Sequence, residues 1–118
     1  MNKLLLLICF TICVDSYSQD CTQIPSTFNS YGQAINVVKN SIFKIKETAN
    51  TSSSSWMTSA AYYSCDGTEG YFIYTTNKGD EYIHKALPMN IWKGFQLAAS
   101  KGSYYDTNIK GKYLLKLK

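Results

Sequence analysis

Residues 56–102 read WMTSAAYYSCDGTEGYFIYTTNKGDEYIHKALPMNIWKGFQLAASKG, and the fold turns on this stretch. Trp56–Tyr63, Tyr71–Thr76 and Glu81–Lys85 are rich in aromatic and β-branched residues, which suit a pleated surface. Between them stand Asp66-Gly67 and Asn77-Lys78-Gly79-Asp80, both turn-forming. Links this short join antiparallel neighbours, because a parallel crossover needs a dozen residues or more. Pro88 to Lys101 then changes period. Ile91, Trp92, Phe95, Ala98 and Ala99 form one apolar helical stripe, Pro88 suits the first turn, and Gly102 suits a left-handed cap. The prediction is an α+β fold: an antiparallel β-meander of three or four strands packed against one or two helices.

Upstream, Asn50-Thr51-Ser52-Ser53-Ser54-Ser55 is a polar linker, and Asn50-Thr51-Ser52 also matches the N-glycosylation acceptor pattern. Before it, Phe28, Tyr31, Ala34, Ile35, Val38 and Ile42 recur at helical spacing, predicting a helix over Thr27–Ile42. Ser30 and Gln33 stand as a capping box. Phe43 to Glu47 alternates like a short strand with Phe43 and Ile45 inward. Downstream, Ser103–Lys118 holds a short helix or turn near Tyr105–Lys110, then Tyr113, Leu114, Leu115 and Leu117 as a closing strand.

The N-terminus carries an address. Lys3 precedes Leu4–Val14, an uncharged run of the length of a secretory h-region and too short to span a bilayer. Ser16 and Ser18 place the cleavage before Gln19. Three parts are predicted: a signal peptide at 1–18, an N-terminal helix and short strand at 19–50, and the main domain at 51–118. The product is secreted or periplasmic, with no membrane anchor after cleavage. Cys9 and Cys13 leave with the leader, so Cys21 and Cys65 remain for a disulfide in an oxidising compartment. The alternative, a reactive Cys65 thiol, needs a basic neighbour, whereas Asp66 and Glu69 stand close by.

Charge is lopsided. Residues 85–118 carry seven lysines and the single acid Asp106, while residues 19–84 carry four lysines and six acids. The chain has no arginine, the residue suited to bidentate phosphate contacts. The basic half either keeps the domain soluble or attracts an anionic ligand.

The stretch from about Ser54 to Tyr113 resembles the KTSC domain, a small domain also found at the C-terminus of some lysyl-tRNA synthetases. The resemblance rests on Tyr82-Ile83-His84, Leu87-Pro88, Ala99-Ser100-Lys101-Gly102, Tyr105, Ile109-Lys110 and Tyr113. His84 departs from the tyrosine usual at its place, and Asp106 stands where asparagine is expected. The resemblance implies a compact α+β unit and RNA as a partner.

If Ile83 faces the C-terminal helix, Tyr82 and His84 lie on the opposite face of the sheet. With Lys101, Tyr104, Tyr105, Lys110 and Lys112 they then form an aromatic, basic platform for an anionic or aromatic ligand. The alternative has Tyr82 and His84 at the rim of the core, each with one hydrogen bond. Catalysis has little foundation: His84 is the only histidine, and no nucleophile elbow, phosphate loop or zinc-protease motif is present. No cofactor is implied. No metal is implied either, since Cys21, Cys65 and His84 fall short of a four-ligand zinc site. Three functional readings stand at this point: a binding module, a structural accessory protein, and a weak hydrolase using His84 with Ser100 or an acid.

Overall fold

The meander forms because each polar turn breaks an apolar run at the place where the chain reverses. The computed structural model describes residues 19–118, so the leader predicted at 1–18 lies outside the described residues. Strands β3 (Ile45–Thr48), β4 (Met57–Ser64), β5 (Glu69–Thr76) and β6 (Glu81–Pro88) hydrogen-bond in that order, all antiparallel. Two short strands, β1 (Gln19–Asp20) and β2 (Ser41–Ile42), pair in parallel beside this sheet. The helices are α1 (Tyr31–Lys39), α2 (Met89–Leu97) and α3 (Lys101–Asn108). This is the expected α+β class with a four-stranded meander.

The β4–β5 reversal is built from side chains. Asp66 Oδ1 accepts the amides of Thr68 and Glu69 at 2.9 and 3.2 Å. These amides hold the Asp66 carboxyl below its ordinary range. Ser64, fully buried, accepts Gly67 N–H at 2.9 Å and donates to the Glu69 carbonyl at 2.6 Å. At Gly67 the backbone takes φ +81°, the left-handed conformation glycine adopts at no steric cost.

Both faces of the sheet are covered. One face presents Ala60, Tyr62, Phe72, Tyr74 and Leu87 to Trp92 and Phe95 of α2 and to Tyr105 of α3. The other presents Tyr63, Ile73 and Ile83 to Phe28, Ala34, Ile35 and Val38, with Leu115 closing the layer. Double coverage explains the unbroken apolar runs Tyr62-Tyr63 and Phe72-Ile73-Tyr74, in which neighbouring side chains go to different cores. Trp92 stacks on Tyr62 with centroids 5.1 Å apart. Burying each ring of this kind contributes about 2 kcal/mol. The Tyr62 hydroxyl donates to the Leu87 carbonyl at 2.8 Å, and burial pushes its pKa up to about 12.

Residues 19–50 are bound into this architecture. β3 pairs with β4, α1 covers one face, and Cys21–Cys65 ties the N-terminus to the β4–β5 turn with Cα atoms 5.8 Å apart. The cap forms in a shifted version of the expected box: Ser30 Oγ accepts Gln33 N–H, but Gln33 Oε1 reaches past Ser30 to accept Asn29 N–H.

Several boundaries differ from expectation, each for a long-range reason. Phe28 is not helical. It bridges to Leu117, accepting from Lys118 N–H at 2.8 Å and donating to the Lys116 carbonyl. The closing strand expected at Tyr113–Leu117 reduces to that single bridge. The helix expected over Pro88–Lys101 stops at Leu97, and α3 starts at Lys101 with Ser100 as its cap. Gly102 is therefore no left-handed cap. It lies in the first turn of α3, where an added Cβ would meet Trp56 Nε1 at 2.6 Å. Gly94 plays the same part in α2 toward the Tyr104 ring of α3. Two missing side chains let α3 lie close on α2 and on Trp56.

Candidate functional site

The conditional geometry of the sequence resolves in an unexpected way. Ile83 does face a helix, but that helix is α1, at the N-terminus. Alternation along β6 then turns Tyr82 and His84 toward α3. The two sit differently. Tyr82 is 46% exposed and stacks on Tyr74 at 5.3 Å, whereas His84 is 6% exposed.

His84 is held at both ring nitrogens. Nδ1 lies 3.0 Å from the Lys112 carbonyl, which can only accept, so Nδ1 carries the proton. Nε2 then accepts the Tyr105 hydroxyl at 2.9 Å, and the Tyr74 hydroxyl donates to Tyr105 at 3.0 Å. The result is a buried chain, Tyr74–Tyr105–His84–Lys112, that joins the sheet, α3 and the tail. Burial holds the imidazole below its ordinary pKa and raises the phenol pKa values of both tyrosines.

The remaining residues of the expected platform scatter. Lys101 is buried; its Nζ donates to the carbonyls of Gln96 and Ala98 at 3.1 and 2.8 Å, closing the C-terminal end of α2. The Tyr104 hydroxyl donates to the Ile91 carbonyl at 3.0 Å, fastening α3 to α2. Lys110 and Lys112 are exposed on either side of Gly111. No single basic face gathers all of them.

What does gather is a groove of about 520 Å³ along β6. Tyr82, Tyr31 at the start of α1 and Leu114 of the tail line it, and all three are exposed apolar side chains. Tyr74, His84 and Tyr105 line its interior, so the buried chain borders it. Sequence reasoning found Tyr82, His84 and Tyr105 but missed Tyr31 and Leu114. Both had been assigned to the apolar sides of elements, and only their exposure, a tertiary property, separates them from core.

The other candidate centres are weaker. Asp20, Cys21 and Cys65 offer three donor atoms within 4.8 Å of one another, but the two sulfurs are bonded together and are not thiolate ligands. A polar hollow at the α3 N-terminus is lined by Ser53, Ser54, Trp56 and Ser103, and its buried cation, Lys101, is already satisfied. Among the described residues, no helix is long and apolar enough to cross a membrane.

Against known proteins, residues 74–113 match the family model of the KTSC domain. The matched span runs from the middle of β5 to the tail and contains the whole Tyr74–Tyr105–His84–Lys112 chain. No curated protein and no solved structure matches this chain.

Proposed function

We propose that this KTSC-domain chain is an exported binding module without catalytic activity, and that its ligand occupies the groove along β6. The observation that carries the reading is the groove itself: Tyr31, Tyr82 and Leu114 hold large apolar surfaces in water around one concavity. Exposed apolar side chains gathered around a hollow mark interaction sites more often than chance exposure does.

Four further observations support it. His84 spends both ring nitrogens on hydrogen bonds within the fold, leaving neither free as a general base. Ser100, the hydroxyl paired with it in the hydrolase reading, caps α3 instead by accepting Ser103 N–H at 3.2 Å. Export is supported by the apolar leader and by the Cys21–Cys65 disulfide, a bond that persists in oxidising compartments. The lysines flanking Gly111 favour an anionic ligand or an apolar one bearing acids.

The test is a thermal-shift and fluorescence titration of the disulfide-bonded protein with oligonucleotides, cell-wall fragments, sugars and short peptides at low and high salt. A ligand of this groove raises the melting temperature, and Tyr82→Ala abolishes the rise without unfolding the protein. A ligand whose binding is untouched by Tyr82→Ala and Leu114→Ala would place the site elsewhere. No ligand from any class would favour a structural accessory.

A further inference from the structure

β6 is the edge of the four-stranded sheet, and its outer side is only partly covered. Phe72–His84 and Tyr74–Tyr82 are paired residues in the β5–β6 ladder, and beyond them Thr76 N–H donates to the Asp80 carbonyl at 2.9 Å. The main-chain groups of Asp80, Tyr82 and His84 therefore point at β5. Alternation sends those of Glu81, Ile83 and Lys85 outward. Lys85 confirms the parity: its N–H donates to the Tyr113 carbonyl of the tail at 2.9 Å. The tail thus occupies one main-chain position on the outer edge of β6, at Lys85.

It does not reach the N-terminal half of that strand. Among the described residues, neither Glu81 nor Ile83 has a main-chain hydrogen bond on that outer side. The outward N–H and C=O of Ile83 thus have no main-chain partner among the described residues, although the residue as a whole is only 6% exposed. Buried main-chain groups are paired in the great majority of cases, and exceptions call for a reason. Both residues line the groove that Tyr31, Tyr82 and Leu114 surround.

We infer that this groove takes an extended peptide segment of a partner protein, which adds a strand to β6 at Glu81 and Ile83. The inference rests on the groove being the binding site. It names as ligand a chain with alternating apolar and acidic residues. Main-chain pairing with Ile83 supplies the donor and acceptor that its edge lacks. Alternate side chains of such a strand project to opposite faces, one set toward Tyr82 and Tyr74, the other toward Tyr31 of α1. Charge favours the acids: Gly111 lines the groove, the lysines on either side of it in the chain, Lys110 and Lys112, are exposed, and the carboxylate of Glu81, which also lines the groove, is paired with Lys39. The strand stops where the tail begins, at the Lys85–Tyr113 bond.

Two measurements test this. Amide hydrogen exchange on the free disulfide-bonded protein should show Ile83 exchanging faster than Tyr82 and His84. Protection of Ile83 equal to theirs would show an edge already paired and overturn the proposal. Next, a random linear heptapeptide library is panned against the protein, and the enriched peptide is synthesised with single N-methyl groups at successive positions. Strand addition predicts an alternating tolerance: methylation at every second residue weakens binding about tenfold, the loss expected from removing a main-chain bond, and the residues between are neutral. In the complex, exchange at Ile83 slows.

Peptides that bind with uniform N-methyl tolerance, or that leave Ile83 exchange unchanged, would refute strand addition. If the library yields nothing while a thymidine oligonucleotide binds and loses binding in Tyr82→Ala, the peptide is wrong and the groove reading survives. If neither binds, both readings fall.

Discussion

Replacing His84 with phenylalanine keeps a ring of similar area between β6 and α3 but removes both of its hydrogen bonds. The Lys112 carbonyl then loses its donor, and the buried Tyr105 hydroxyl loses its acceptor. A partly exposed carbonyl that regains water costs about 1 kcal/mol, and a buried hydroxyl left unpaired about 2, for a total of about 3 kcal/mol. For a chain of this size, each kcal/mol is about 4–8 °C in Tm, so the fall should be roughly 12–24 °C.

The same geometry sets a pH dependence. Protonating His84 puts a second N–H at Nε2, leaving the Tyr105 proton without its acceptor. Burial therefore keeps the folded pKa below the ordinary value of 6.5. The unfolded chain binds the proton more readily, so His84's contribution is complete above 6.5, falls as pH drops toward the folded value, and then levels off. Urea unfolding of the parent and His84→Phe proteins at about pH 7.5 and about pH 5.5 reads both effects. The expected pattern is a large gap at neutral pH that narrows in acid. Equal stabilities at neutral pH, or a gap that does not change with pH, would refute the reasoning.

Other perturbations separate structural from ligand-facing residues. Lys101→Met should destabilise by about 1–3 kcal/mol through loss of two charge-assisted bonds to carbonyls, while Lys110→Met should stay within about 0.5 kcal/mol, both read by urea unfolding. Gly102→Ala should cost about 1–3 kcal/mol and shift the Trp56 fluorescence, since the new methyl meets the indole; an unchanged spectrum and midpoint would contradict that contact. Cys21→Ser with Cys65→Ser should lower stability by about 4 kcal/mol in the loop-entropy account, given the 44-residue separation. A thiol titration of residues 19–118 purified without reductant should find no free sulfhydryl, and two reactive thiols would overturn the oxidised assignment.

The sheet was readable because its signals are local. Asp66-Gly67 and Asn77–Asp80 reverse the chain within a few residues, and the turn chemistry needs nothing from elsewhere. The Ser30 cap on Gln33 N–H, likewise confined to one turn, is present in the structure. The first C-terminal helix was expected to run on to Lys101, because Ala98 to Ser100 carries no proline or other strong breaker. It is Lys101, folding back onto the Gln96 and Ala98 carbonyls, that closes α2. Gly102 signals a cap in the sequence, yet the structure uses it for clearance beneath Trp56. A glycine's two uses, positive φ and close approach, look alike until its neighbours are known.

The candidate site shows the same division. Sequence alone determined that Tyr82 and His84 share one face of a strand and Ile83 takes the other, because the period of two follows from backbone geometry. It determined the meander and the surplus of lysine in the last third, and it pointed to Cys21 and Cys65 as a pair. Which face meets which helix was decided only by tertiary structure: periodicity fixes relative direction, and with both sheet faces covered each direction leads into a core. Packing of α1 against Ile83 and of α3 against His84 buried the histidine, left Tyr82 in solvent, and drew Lys101 away to a helix end. Those outcomes depend on contacts between residues far apart in the chain, which no local pattern encodes.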